Sequence, residues 1–207
     1  MRTTTTLLCL AMTAVLAACN PSTPADDAAT PPAATAPDTA PEPAAAAPVE
    51  PAMQGAAAVA TLAATEGNAV TGELRFEAVD GGVRISGQVS GLAPDSEHGF
   101  HVHETGDCSA PDATSAGGHF NPASTDHGRV GSDPHHAGDT NNITADATGV
   151  ATVDTRLEGA TVGDGAPTDV VGKGVIVHAD PDDYTTQPTG NAGARLACGV
   201  VSASPAS

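Results

Sequence analysis

From about residue 56 onward, hydrophobic and polar positions alternate with a period of two over several short segments. In ELRFEAV, Leu74 and Phe76 fall on one side, and in VRISGQV so do Val83, Ile85 and Val89. Successive side chains on a strand point to opposite faces, so each segment predicts a strand with one buried face. Asp80-Gly81-Gly82 between them predicts a hairpin turn. NITADATGVATVDT repeats the pattern around a turn at Asp146 to Gly149, and GVIVHA and ACGVVS add two more strands. No stretch carries a 3.6-residue period. The expectation is an all-β sandwich or flattened barrel.

Two stretches break the alternation. Residues 105–141 and 179–195 are long, rich in Gly, Pro, Asp and His, and poor in large apolar residues. Loops beyond about 15 residues in a compact domain are usually functional or disordered. These two hold or border most of the eight histidines, which favours function. The strand GFHVHE poses the question most sharply. Phe100 and Val102 share one face, leaving His101 and His103 on the other. A His-x-His pair is more often solvated than metal-bound, so it gains meaning only from further ligands. The chain supplies them: His119 in GGHFNP, His127 in DHGRVG, and His135, His136 and Asp139 in DPHHAGD. VIVHADPDD adds His178, with Asp180, Asp182 and Asp183 close behind. Neutral imidazoles suit copper and zinc, and a carboxylate can complete a tetrahedral zinc site. So many donors exceed the needs of a single metal.

Composition divides the chain into three. Residues 1–18 read as an export signal: Arg2 is positive, Leu7 to Ala18 is an apolar run too short to span a bilayer, and Leu16-Ala17-Ala18-Cys19 is similar to a lipobox. Lipidation at Cys19 is the expectation, with simple secretory cleavage as the alternative. Residues 19–54, dominated by Pro and Ala, should form an extended, disordered tether. Residues 55–207 form the folded domain. From Ala56 onward the chain holds 20 Asp and Glu against six Lys and Arg, a net of −14. Nucleic acid and anionic membrane surfaces are therefore disfavoured as partners, apart from the anchor itself. Cys9 leaves with the signal and Cys19 is lipidated, so Cys108 and Cys198 remain. In an exported, oxidising compartment the pair reads as a disulfide, with two buried thiols as the alternative.

GFHVHE, GGHFNP, HHAGD and GNAGARLACGVV occur here in an order that resembles the copper–zinc superoxide dismutases, in particular their bacterial periplasmic lipoprotein branch. The separations among His119, His127, His136 and Asp139, of eight, nine and three residues, also match that family. The resemblance implies a Greek-key β-barrel or sandwich of about eight antiparallel strands with two long functional loops. It implies a copper ion held by His101, His103, His119 and His178, and a zinc ion held by His119, His127, His136 and Asp139. The shared His119 would bridge the two as an imidazolate. Asp182 would hydrogen-bond His101 and His127, Cys108 would pair with Cys198, and Arg195 would guide the anionic substrate. The reaction implied is dismutation of superoxide to dioxygen and hydrogen peroxide, with Arg195 and His119 as the catalytic residues.

His98 falls off the histidine face of its strand and reads as a surface or strand-end residue. His136 is preferred to His135 because of its spacing to Asp139. A periplasmic metal carrier and a catalytically inactive relative are the rival classes. Arg195 argues against the first, and a filled set of ligand positions against the second. Periplasm or cell envelope is the expected location, with Asn20 after Cys19 favouring the outer membrane. Bacterial members of the family differ in whether they pair, so monomer and homodimer both stay open.

Overall fold

The computed structural model describes residues 58–204. The expected signal peptide, the lipidation site and the tether over 19–54 lie outside them. Ten strands are present among these residues: β1 (Ala58–Ala64), β2 (Thr71–Val79), β3 (Gly82–Ser90), β4 (Glu97–His98), β5 (Phe100–His103), β6 (Ile143–Thr144), β7 (Val150–Glu158), β8 (Gly174–His178), β9 (Arg195–Val200) and β10 (Ser202–Ala203). Eight form one curled sheet in the order β5-β8-β9-β1-β2-β3-β7, with β10 beside β1; β4 and β6 form a small second sheet. Every ladder is antiparallel. No helix among the described residues is long and apolar enough to cross a membrane.

The period-two pattern places the core. Leu74 and Phe76 on β2, Val83, Ile85 and Val89 on β3, Val153 and Leu157 on β7, and Phe100 and Val102 on β5 are all buried in one apolar cluster. Full burial of such a side chain stabilises by about 1.5–3 kcal/mol, so the set drives closure. The hairpin at Asp80 forms as expected, with Val79 facing Gly82. The second expected hairpin does not. Its turn exists, with Asp146 N–H bonded to Val150 O and Asp146 Oδ1 accepting from the Thr148 amide. However, the strand before it shrinks to Ile143 and Thr144, which pair with β4 instead of β7.

β8 shows how two environments are built on one strand. Val175 and Val177 point into the main core, whereas Ile176 joins Ala113, Ala116 and Cys198 in a smaller cluster under the 105–118 segment. Cys108 and Cys198 are bonded there, 90 residues apart in sequence. On β5 the reverse face is not solvated: His101 and His103 are as buried as Phe100 and Val102. The long loop covers them. Val102 gives its N–H to Gly138 O and takes one from Phe120, so the loop supplies the outer partner of this edge strand.

Candidate metal centre

Two four-residue groups of donors converge beside β5. Ligand atoms of His101, His103, His119 and His178 lie within 4.8 Å of one another, as do those of His119, His127, His136 and Asp139. His119 belongs to both. β5 contributes His101 and His103, the end of β8 contributes His178, and the 105–141 loop contributes the rest. A register shift between Val177 and His178 marks the strand end that carries His178.

His101, His103, His127 and His178 each have one nitrogen against a protein oxygen and the other turned inward. His103 Nδ1 donates to Gly117 O at 2.9 Å, and His178 Nδ1 sits 3.4 Å from Gly193 O. Their Nε2 atoms then face each other across 3.4 Å. His101 Nε2 donates to Asp182 Oδ2 at 2.8 Å and His127 Nε2 to Asp182 Oδ1 at 3.0 Å, so one carboxylate spans the two groups. The atoms left over are His101 Nδ1, His119 Nε2 and His127 Nδ1, all buried without a hydrogen-bond partner. Orphaned buried nitrogens are costly unless something binds them.

The second group is drawn in tightly around Asp139 Oδ1. His119, His127 and His136 each bring Nδ1 to within 2.7, 3.1 and 3.3 Å of Asp139 Oδ1. His127 Nδ1 comes that close without the direction of a hydrogen bond. A tetrahedral zinc site with bonds near 2.0–2.1 Å has ligand–ligand edges of about 3.3 Å. Asp139 Oδ2 is occupied separately by the backbone N–H groups of His136 (2.8 Å) and Gly128 (3.1 Å), which fix the carboxylate.

Electrostatics agree with metal binding. Burial holds His103 and His178 well below the ordinary imidazole range, keeping them neutral as ligands must be. Burial likewise pushes His119 down to about 4, against the pull of Asp139. Burial also opposes charge on His127, but Asp139 and Asp182 override it and raise its pKa to about 9. His127 therefore holds a proton at neutral pH in the absence of metal, and a metal bound there would displace it. Burial acts to raise Asp139, and the close approach of the His119, His127 and His136 rings more than reverses it, leaving it well below the usual carboxylate range. The donor set, the orphaned nitrogens and this field fit copper at the all-histidine group and zinc at the group with Asp139.

Arg195 stands beside the all-histidine group. Its two terminal nitrogens donate to the carbonyls of Ala113 and Gly117, each at 2.6 Å. Partial burial draws its pKa down, with Asp112 pulling the other way, and the guanidinium stays cationic. It lines a cleft of about 490 Å³ together with Asn68, Asp112, Thr114 and Gly193. Gly117 adopts φ 73°, and a Cβ there would meet Glu104 Oε1 at 2.5 Å, so glycine is required.

His135 stays outside both groups, its Nδ1 donating to His136 O and its Nε2 lying 3.7 Å from Glu158. Asp180 and Asp183 are exposed and also outside them. His98 ends β4, as the strand-end reading expects, but it is buried and not at the surface: Nδ1 donates to the carbonyl of His178 at 2.8 Å. Strand alternation alone does not reveal it, because the cover comes from another strand's end. Asn142 and Gln187, which hold the loops around the centre, also carry no signal in the pattern.

The profile of the family described as copper/zinc superoxide dismutase matches residues 70–201. A curated relative, superoxide dismutase [Cu-Zn] 2 of Aquifex aeolicus (strain VF5), is 39% identical over 145 residues, covering 69% of this chain and 84% of the relative. Among solved structures, the clock protein EA4 aligns with a TM-score of 0.63 and 37% identity, over 71% of this chain and 94% of its own. A SOD-like protein from Bacillus subtilis aligns with a TM-score of 0.62 and 36% identity, over 69% and 96%. Both donor groups lie within the matched residues 70–201. The chain belongs to the copper/zinc superoxide dismutase family.

Proposed function

We propose that this protein dismutes superoxide, using copper held by His101, His103, His119 and His178 and zinc held by His119, His127, His136 and Asp139. The observation that carries the reading is His119. Its Nδ1 lies 2.7 Å from Asp139 Oδ1 in one group, while its Nε2 is buried and unpartnered in the other. One imidazolate can therefore join two metals. Copper supplies a one-electron couple, so that one superoxide is oxidised to dioxygen and a second, with two protons, is reduced to hydrogen peroxide, while zinc is redox-silent.

The chain's own residues do the rest. Arg195 draws the anion towards the all-histidine group, and its guanidinium is held in place by donating to the carbonyls of Ala113 and Gly117. His119 Nε2 is the atom placed to hold one of the protons that the product needs. Asp182 fixes the rings of His101 and His127 and thereby sets which nitrogen each presents. The Cys108–Cys198 bond anchors the segment that carries those two carbonyls. The lipobox-like run ending at Cys19 supports export and attachment to a membrane, with residues 19–54 as the link to the folded domain.

Elemental analysis and a superoxide assay on metal-loaded protein test the reading. One copper and one zinc per chain are expected, together with rapid turnover. His119→Ala should break the coupling between the two ions and reduce turnover. A wild type that binds copper alone would remove the zinc assignment.

A further inference from the structure

The two long loops meet next to the group containing Asp139, and they meet through amide side chains. Asn142, at the end of the first loop, donates from Nδ2 to Asp182 O at 3.0 Å and accepts at Oδ1 from Asp182 N at 2.9 Å. Gln187, on the second loop, returns the grip. Its Oε1 accepts from His127 N at 2.9 Å, and its Nε2 donates to His127 O at 2.8 Å. A primary amide presents donor and acceptor side by side, so it can pair with one residue's N–H and C=O much as a neighbouring strand would.

The turn that aims Gln187 is heavily specified. Asp183 Oδ1 accepts from the amides of Thr185 (2.9 Å) and Thr186 (2.7 Å), and Oδ2 accepts from the Thr186 hydroxyl (2.6 Å). Gly190 then gives its N–H to Thr186 O at 2.7 Å and passes so close to the centre that a Cβ would meet Asp182 Oδ1 and His127 Nε2. Tyr184, within the same turn, accepts at its hydroxyl from the backbone N–H of Asn142 at 2.9 Å, and its ring lies 5.1 Å from the Arg129 guanidinium.

We propose that Gln187 is a positioning residue for zinc. Asp182 holds the His127 ring at Nε2, and Gln187 holds the backbone from which that ring hangs, so together they set where Nδ1 points. A ring fixed at one nitrogen alone can still swing about that bond, whereas a ring whose backbone is also gripped cannot. The same grip joins the zinc-binding loop to the segment that ends at Arg195. The inference rests on reading His127 as a zinc ligand.

The test uses the full chain with its disulfide intact, stripped of metal. Zinc affinity is read by competition with a chromophoric chelator, and ligand geometry by the visible spectrum of cobalt(II) bound in zinc's place. Gln187→Ala should weaken zinc about tenfold and change the cobalt spectrum, as loss of an outer partner of a metal ligand does. Truncation also takes these partners from the N–H and C=O of buried His127, so the thermal midpoint of the metal-free protein should fall by about 2–8 °C, and the cobalt spectrum is the readout that a purely structural role would leave unmoved. Gln187→Glu keeps the acceptor but loses the donor, and should fall between the two. His127→Ala serves as the reference. If His127→Ala binds zinc like wild type, the ligand reading itself fails. If His127→Ala loses zinc while Gln187→Ala keeps wild-type affinity and spectrum, the positioning role is overturned. A Gln187→Ala protein whose metal-free midpoint collapses with an unchanged cobalt spectrum would overturn it too, leaving a purely structural residue.

Discussion

His103 and Arg195 meet at a single atom, the carbonyl oxygen of Gly117. It accepts from His103 Nδ1 at 2.9 Å and from a terminal nitrogen of Arg195 at 2.6 Å. The His103 ring and the Arg195 guanidinium are therefore held in part by the same peptide group. Gly117→Ala should disturb both at once, since its backbone conformation costs a residue with a side chain about 1–3 kcal/mol. Copper competition titration should show weakened binding, and superoxide decay a rate lower on the order of tenfold. An Ala variant with wild-type copper affinity and wild-type turnover would break the link.

Arg195 presents an electrostatic puzzle. The folded domain carries a net of −14, and Asp112 and Glu66 line the cleft beside the arginine, yet the substrate is an anion. Local charge has to prevail. At about 6 Å, with an effective dielectric near 20, one cation is worth roughly 3 kcal/mol at most, and water and salt reduce that. Arg195→Ala should slow turnover about tenfold, Arg195→Lys should keep much of the rate, and Arg195→Glu should be worse than Ala. Pulse radiolysis over a salt series provides the check: the gap between wild type and Ala should narrow as ionic strength rises. Equal rates at low salt would show that Arg195 does not steer.

The Cys108–Cys198 bond closes a segment with a sequence separation of 90 residues. In the loop-entropy account, such closure stabilises by about 4–5 kcal/mol. Replacing either cysteine with Ser should lower the melting temperature by about 10 °C or more. The segment over Ile176 should loosen with it, carrying the Ala113 and Gly117 carbonyls away from Arg195. Calorimetry on the Ser variants decides this, and an unchanged midpoint would mean that packing alone holds the segment.

At the amino terminus, Cys19→Ser should release the protein from the membrane fraction and abolish labelling by a fatty-acid probe. One acyl chain binds only marginally, whereas two or three hold firmly. Wild-type protein found wholly in the soluble periplasmic fraction would favour simple secretion.

Much of the fold was legible where apolar residues were bulky. β2, β3 and β7 stand out because Leu, Ile, Val and Phe alternate with polar residues over a strand's length, and β8 as a short run of Val and Ile buried on both faces. β1 gave no such signal: AVATLAA is mostly alanine, too small and too weak a strand former to mark a face, and its pairing with β2 and β9 makes it a strand. The ligand candidates were visible as residue types and, through family resemblance, as positions. The surrounding grip was not. Gln187, Asn142 and His98 act through backbone atoms of residues 40 to 80 positions away, and contacts of that kind leave no periodicity in a single chain.

Tyr184 has a consequence for the bench. It is the chain's one tyrosine, and there is no tryptophan. Nearly all ultraviolet emission from this protein must come from a single ring lodged where Asn142 and Arg129 reach across from the first loop. The molecule thus carries a native optical probe at the junction of its two long loops, and its fluorescence reports on that junction without a label. The same ring makes absorbance at 280 nm a faint measure of concentration, one better taken from the peptide band.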